Sequence, residues 1–498
     1  VTAPRTIVVI GAGMGGLAAA ARLAAQGHHV TVIERSAHTG GKLHAARHEG
    51  FVFDTGPSLL TLPAVYRDLF IKTGTPLEQC LDLVPVDPAF GYHFPDGSSV
   101  VLPGAGTAAA ADAMQQSFGG QTGAQWQRLM ERAGHMWSIT RGPFLQSARP
   151  NWRTMASLAT SVSDVRTIAP TSTLRDFGKQ YLTDNRARQI LDRYATYTGS
   201  DPRQAPAVLA TIAYVEQTFG AWHISGGLST LGQVLTQRCQ ELGVAFELNC
   251  AATAIDVAGD QVRAVTTADG RRFVADIVVS NTDATVLYDQ LLPPGIAGKE
   301  RRALTKAQPS LAGFVVLLGL AGRTPGLQHH NVWFPEHYDA EFDSIFARVP
   351  EPVIDPAIYV CAPDDATMRP DDHHESWFVL VNAPRHGDGR SGTMDWQAPG
   401  VAAHYAQHVV DLLAARGTDI RDRIVWQHHL SPADLQERTL APGGSIYGWS
   451  SNGARAAFRR PANQSAIRGL FLVGGSAHPG GGLPLVAMGA ETVAGLIH

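Results

Sequence analysis

Six residues near the start of the chain, Gly11-Ala12-Gly13-Met14-Gly15-Gly16, have the composition of a loop that lets main chain approach a charged ligand. Gly11, Gly13 and Gly16 meet the spacing GxGxxG. In a strand–turn–helix unit the first glycine permits the tight turn, the second admits a pyrophosphate to the backbone, and the third lets helix and strand pack closely. The N–H groups that open the following helix then face the phosphate charge. Glu34 stands about 20 residues further on, where a carboxylate accepts hydrogen bonds from ribose hydroxyls; the same charge repels a 2′-phosphate and disfavours NADP. A second glycine-rich run lies at the opposite end, Gly474-Gly475-Ser476-Ala477-His478-Pro479-Gly480-Gly481-Gly482-Leu483-Pro484. It precedes an apolar, Ala-rich helical stretch, Leu485 to Ile497, so its N–H groups can meet an anion or the electron-rich edge of a ring. The two loops read as halves of one dinucleotide site, and His478 as a residue that positions its loop rather than a base.

The elements around these loops follow from their apolar patterns. Thr6 to Ile10 (TIVVI) is a short β-branched run without alternation, as expected of a parallel strand buried on both faces. An Ala/Leu helix from Leu17 ends at Gly27, and a second apolar strand, His29 to Ile33, leads into Glu34. The same logic returns after Gly226-Gly227-Leu228: a helix over Thr230 to Leu242, then strands at Val244 to Leu248, Ala254 to Val257, Val262 to Thr267 and Arg272 to Ser280. Such late strand returns complete the sheet of a cofactor domain far along the chain. Residues 87–220 read as helical, with Trp126, Leu129, Met130, Ala133, Met136 and Trp137 on one face, which is read as core or lid packing. Residues 295–425 mix loops with strands such as Gly313 to Leu320 and Trp377 to Asn382. The expected organisation is an α/β Rossmann-like cofactor-binding domain, made of residues 1–86, 221–294 and 426–498, with a mixed α+β substrate domain from 87–220 and 295–425.

Composition sets the limits. The chain has 498 residues, enough for two or three domains. A formal charge of −4 gives no basic field to hold a polyanion, so nucleic acid is not an expected partner. Charged residues are only 17%, against about 25% in an average chain, which suits a large apolar interior. The cysteines, Cys80, Cys239, Cys250 and Cys361, show no CxxC spacing, and the N-terminal segment has no export signal, so a cytoplasmic setting is expected. The apolar run Leu311 to Gly322 is far short of the ~20 residues needed to span a bilayer. Histidine pairs such as His329-His330 lack the spacing of a metal motif, and no metal is expected. No GxSxG follows a strand, so nothing supports hydrolase chemistry.

The segment Arg35 to Lys42, with Gly40-Gly41-Lys42, followed by Asp54-Thr55-Gly56-Pro57, resembles the FAD-dependent amine oxidase and phytoene desaturase superfamily. FAD thereby leads over NAD. The pieces His329 to Phe334, Asp339 to Phe346, Ile358 to Pro363, Phe378 to Pro384, Gly443 to Gly448, and Arg460-Pro461 with Asn463 are similar to the bacterial carotenoid (phytoene-type) desaturases over nearly the whole chain. Asp192 to Gly199 (DRYATYTG), with Pro202 and Ala205-Pro206-Ala207, resembles the branch that acts at the 3,4 bond of 1-hydroxylated carotenes. This resemblance implies an FAD-bound, membrane-peripheral enzyme with a carotenoid substrate and oxygen or a quinone as electron acceptor. It assigns Gly11, Gly13, Gly16, Glu34, Arg35, Gly41, Lys42, Gly475, Pro484, Leu485 and Val486 to the cofactor. Ala252, where relatives often have Val, would meet adenine through its backbone.

Removing two hydrogens from a hydrocarbon with no acidifying carbonyl calls for a hydride acceptor, and flavin N5 is one. Candidates for the group that takes the remaining proton are Glu216 and His223, in the stretch YVEQTFGAWHISGG. Phytoene desaturation and oxidation of a carotenoid end group are the alternatives within the family. Outside it stand an FAD amine oxidase, for which no lysine suited to contact flavin N5 through water is identifiable, and a flavoprotein without catalysis.

Overall fold

Five parallel strands tie the two ends of the chain together, in the order Leu470–Leu472, Ile277–Ser280, Thr6–Ile10, His29–Ile33 and Ala245–Glu247. The computed structural model describes residues 3–148, 161–390, 392–453, 456 and 459–497. The absence of polar alternation in TIVVI has its cause here. Ile7 and Val9 pack into one layer with the helices Met14–Ala25 and Leu483–Leu496, while Val8 and Ile10 face another with Ile255, Val265 and Leu287. Ala18 to Ala21 are completely buried, and these small side chains let the helix Met14–Ala25 fit between the sheet and its helical neighbours.

An antiparallel meander, Ala252–Ala258, Gln261–Thr267 and Arg272–Val274, covers the layer that contains Val8 and Ile10. The expected single strand from Arg272 to Ser280 is therefore two. At Ala275 and Asp276 the chain leaves the meander. The Asp276 N–H donates to the Thr6 carbonyl at 2.9 Å, and the Asp276 carboxylate accepts from the Thr6 N–H at 2.8 Å, so the next four residues run in the parallel sheet.

A seven-stranded sheet builds the second half of the molecule, in the order Ile424–Leu430, Ala312–Ala321, His374–Ala383, Ile358–Cys361, His330–Trp333, Phe90–His93 and Ser99–Leu102. Two of these strands come from the stretch expected to be helical. In Phe90–His93 a short FGYH run carries no clear pattern, and its pairing with His330–Trp333 decides its conformation. Helix begins at Thr107. At the other edge, Ile424–Leu430 runs through the expected boundary at residue 425 and joins this sheet rather than the parallel one.

The apolar run near residue 315 is a central strand covered on both sides. Phe314, Val316 and Leu318 pack with Trp377, Trp396 and the helix Val401–Ala415, whereas Val315 and Leu317 face an interior with Tyr92, Phe334, Tyr359 and Phe378. That second interior also receives Trp126, Leu129, Met130, Ala133 and Met136 from the helix Thr122–Thr140, with Trp137 half-buried at its margin. Among the described residues no helix is long and apolar enough to cross a membrane.

Asp54 joins the parts. At the end of the strand Phe51–Asp54, its buried carboxylate accepts from the N–H groups of Leu228 at 2.7 Å and Ser229 at 2.9 Å, which start the helix Ser229–Glu241. A cap supplied from another part of the chain satisfies two donors that the helix cannot. Asp54→Ala is expected to lower stability by about 1–3 kcal/mol, because both donors stay buried without an acceptor; a shift in the urea midpoint at unchanged slope measures it.

Candidate cofactor and substrate site

The turn after the first strand is held by its own backbone and by one carboxylate. Gly11 has φ +95°, and its N–H donates to the Ile33 carbonyl at 2.8 Å. Glu34 accepts from the Ala12 N–H at 2.7 Å and from the Ser36 N–H at 2.8 Å, so its position at the end of the second strand is fixed. Gly40 donates to the Ala12 carbonyl at 2.8 Å and brings the glycine pair onto the turn.

Main chain then approaches main chain closely. A Cβ on Gly13 would lie 2.6 Å from Asn281 Nδ2, one on Gly41 3.0 Å from the Gly13 Cα, and one on Gly474 2.7 Å from Asn281 Oδ1. Asn281, directly after the strand Ile277–Ser280, thus sits between the N-terminal turn and the C-terminal loop. No spacing rule singles it out; the one signal was its place at the end of an apolar strand. Gly11, Gly13, Gly41, Gly475, Pro484 and Leu485 remain half-buried, and Val486, which donates to the Gly482 carbonyl at 3.0 Å, is buried in the helix that follows. This backbone-lined cradle, with helix starts at both loops and Glu34 at its edge, fits a dinucleotide such as FAD.

The remaining expected cofactor residues distribute around it. Asn249 and Cys250 donate to the Ser36 and Glu34 carbonyls at 2.9 and 2.8 Å, which brings the chain leading into half-buried Ala252 alongside Glu34. Arg35 is exposed and bonds the Glu437 carbonyl at 3.0 Å, away from the turn. Lys42 Nζ donates to the carbonyls of Ser445 at 2.8 Å and Ile446 at 2.7 Å, and burial pushes its pKa down to about 8. Arg460 binds the carbonyls of Tyr447 at 3.2 Å and Gly475 at 2.9 Å as well as that of Trp449, with its pKa pushed down by burial to about 10. Asp283, whose pKa burial raises, lies within the field of both cations. Lys42 and Arg460 therefore fasten the 445–449 segment to both glycine loops.

The two candidate proton acceptors occupy different settings. His223 Nε2 is 2.9 Å from Asp365 Oδ2, and that carboxylate also accepts from the Gly226 N–H at 2.8 Å. His223 lines a small pocket with Asp54, Ser58, Cys361 and Phe378. Glu216 is buried, with Oε1 accepting from the Tyr194 hydroxyl at 2.6 Å and Oε2 from that of Tyr197 at 3.1 Å; desolvation raises its pKa. Arg193 donates to the Tyr197 hydroxyl at 2.8 Å and lies against the rings of Phe90, Tyr92, Tyr197 and Tyr359. Tyr359 in turn bonds His330 Nδ1 at 2.8 Å and Ser58 Oγ at 2.9 Å. Opposite His330 in the sheet is Cys361, and ligand atoms of His329, His330 and Cys361 lie within 4.8 Å of one another, a neighbourhood made by strand pairing that sequence spacing does not reveal. His478 is buried, and its Nε2 is 2.8 Å from the Phe144 carbonyl.

Residues 14–357 match the family model for flavin containing amine oxidoreductases. The chain belongs to this family. It is 33% identical to hydroxyneurosporene desaturase of Rhodobacter capsulatus, covering 96% of this chain and 94% of the relative. It is 30% identical to 4,4'-diapolycopene oxygenase of a Methylomonas species, over 98% of this chain and 97% of the relative. Within the family it groups with the bacterial carotenoid desaturases and oxygenases. The structure of putrescine oxidase bound to putrescine superposes with a TM-score of 0.66 at 16% identity, covering all of both chains, and so shares the fold. The protein is an FAD-dependent oxidoreductase.

Two expectations follow for this flavoenzyme. Gly13→Ala is expected to reduce the flavin-to-protein ratio of the purified protein at least about ten-fold, since the added methyl must displace Asn281 or the ligand. Gly495→Ala, where a Cβ meets nothing within 4 Å, should keep its flavin. Burial pushes the His478 pKa down to about 4 from 6.5. The unfolded chain takes up this proton before the folded one, so stability falls as pH drops through that window. The loss between pH 7 and about pH 5 amounts to about 2 kcal/mol. His478→Gln should remove that share of the acid sensitivity, read from urea midpoints at the two pH values.

Proposed function

We propose that this enzyme introduces a carbon–carbon double bond into a long acyclic carotenoid, and that the bond is the 3,4 bond of a 1-hydroxylated carotene. The observation that carries the reading is the aromatic interior on one face of the seven-stranded sheet. Phe90, Tyr92, Phe334, Tyr359 and Phe378 line it, and it contains Arg193, whose charge acts on Tyr447; Tyr447 packs against Gly481 of the C-terminal loop. An extended apolar molecule with one polar end matches the chemistry of these side chains. The name of the relative hydroxyneurosporene desaturase, and the DRYATYTG segment that supplies Arg193, support the hydroxylated substrate.

FAD, when bound, supplies the two-electron acceptor. The contribution of the chain is to orient the substrate and keep water out, which turns a rare encounter into a positioned one. The cofactor would be held by Gly11, Gly13, Gly16, Glu34, Gly41, Gly475 and the start of the last helix, with Ala252 as a further backbone contact and Lys42 bracing the 445–446 carbonyls. In this reading residues 1–86, 221–294 and most of 426–498 form the FAD-binding unit, and the remainder the substrate unit. His223, held by Asp365, is the better-placed candidate to take up the proton, because both oxygens of Glu216 already accept hydroxyls. Delivery of a water-insoluble substrate calls for contact with a membrane surface, and the exposed Val84 and Phe219, beside the paired strands Leu83–Pro85 and Trp222–Ile224, are suited to it. Oxygen or a quinone would serve as the final electron acceptor.

Anaerobic mixing of the FAD-loaded protein with a 1-hydroxylated acyclic carotene tests the reading. The flavin is expected to bleach while the carotenoid absorption moves to longer wavelength, as one more double bond joins the chromophore. Bleaching by phytoene but not by the hydroxylated carotene would transfer the assignment to phytoene desaturation. A product that forms only with oxygen and contains a new oxygen atom would transfer it to end-group oxidation.

A further inference from the structure

Burying an arginine in an aromatic interior is costly unless its donors are met. Arg193 is 7% exposed and has four aromatic rings around it, yet among the described residues its guanidinium makes one hydrogen bond of ordinary geometry, to Tyr197. Tyr92 is fully buried beside it, within the field of Arg193 and Glu216, and its hydroxyl completes no hydrogen bond of ordinary geometry among the described residues. Glu216 takes the hydroxyls of Tyr194 and Tyr197, so its carboxylate is engaged by tyrosines and not by the guanidinium. An apolar core needs none of this. A ligand that brings one small oxygen would complete it.

We infer that Arg193, Tyr92 and Tyr197 form the binding site for the terminal hydroxyl of the substrate, with Glu216 as the positioning residue that holds Tyr197. The placement agrees with the chemistry. In a 1-hydroxylated chain the oxygen is on C1 and the bond to be desaturated starts at C3, so oxygen and reacting carbon are separated by three bonds of about 1.5 Å and at most about 4 Å. A hydroxyl site for this reaction must therefore adjoin the flavin. The cluster reaches the two segments expected to flank it: Tyr359, under Arg193, is bonded to Ser58 just after Asp54-Thr55-Gly56-Pro57, and Tyr447, which packs against Gly481 of the C-terminal loop, lies within the field of Arg193. The hydroxyl oxygen accepts from Arg193 and Tyr92, and these contacts set which carbons lie over the cofactor.

The inference rests on the proposed 3,4 reaction, and the experiment separates the two. FAD-loaded wild type, Tyr197→Phe, Arg193→Lys and Glu216→Gln are each compared on a 1-hydroxylated acyclic carotene and the same carotene without the hydroxyl. Both kcat/KM and anaerobic binding, followed by quenching of flavin fluorescence, are measured. A site built to bond a hydroxyl rejects the analogue that lacks it, so the wild type should prefer the hydroxylated compound by about 10²-fold or more. Tyr197→Phe and Arg193→Lys should reduce this preference at least about ten-fold in turnover and in binding, with flavin content and melting temperature retained as evidence of folding. Variants that slow both carotenes equally, or bind both equally weakly, would overturn the hydroxyl site and leave the desaturase reading standing. A wild type that desaturates phytoene and neither of the paired carotenes would overturn both.

Discussion

The structure depends on main chain from distant parts of the sequence coming closer than any side chain allows. The turn at residues 11–16 and the loop from Gly474 meet around the single side chain of Asn281, where an added methyl at Gly13, Gly15 or Gly474 would fall below 3 Å from it, and the pair Gly40-Gly41 closes on Gly13. This closure makes one parallel sheet from strands at both ends of the chain and from the middle. The glycines are needed because packing density here is set by backbone, and their conformational entropy cost is accepted in exchange for a groove lined by N–H groups.

Around that groove the chain buries an unusual amount of charge for a protein with few charged residues. Lys42, Arg460 and Arg438 are all shifted toward neutrality by desolvation. Each is kept by carbonyls rather than by a dedicated carboxylate: Lys42 by Ser445 and Ile446, Arg460 by the 447–449 segment and Gly475, and Arg438 by Thr55. Carbonyl partners leave a cation with net charge, which is useful beside an anionic cofactor and wasteful elsewhere. Folding and the affinity for a dinucleotide are thereby linked, since a bound anion stabilises what the empty protein must tolerate.

What could be read from the sequence was local. The glycine turn, its strand and helix, and Glu34 lie within one continuous unit, so spacing alone identified them. The C-terminal loop was equally legible because strand, glycines and helix follow in order. Where pairing with distant chain decides the outcome, the sequence was mute. Phe90–His93 has no strand pattern of its own and is extended because His330–Trp333 lies beside it. Arg272 to Ser280 looked like one strand because both halves are apolar enough, and Asp276 divides it only by bonding Thr6. Asn281 carries no motif, and Arg193 stood only as one letter of the DRYATYTG segment; each gains its setting from residues on other elements. Glu216 stood out by type, but that both its oxygens are occupied by tyrosines could not be foreseen.

The position of the seven-stranded sheet explains why polarity appears where it does. A strand such as Ala312–Ala321 is buried on both faces, so its side chains divide between two different interiors. One is plain packing of Trp377, Trp396 and Val409. The other contains Arg193 and Glu216, linked through the Tyr197 hydroxyl, among tyrosines. Stability alone gives no reason for such buried charges, because replacing them with apolar side chains is often neutral or stabilising. The polar groups beside Arg193 continue to Ser58 through Tyr359 and act on Tyr447. The division of the strand between two interiors thus separates plain apolar packing from the interior in which the polar cluster sits.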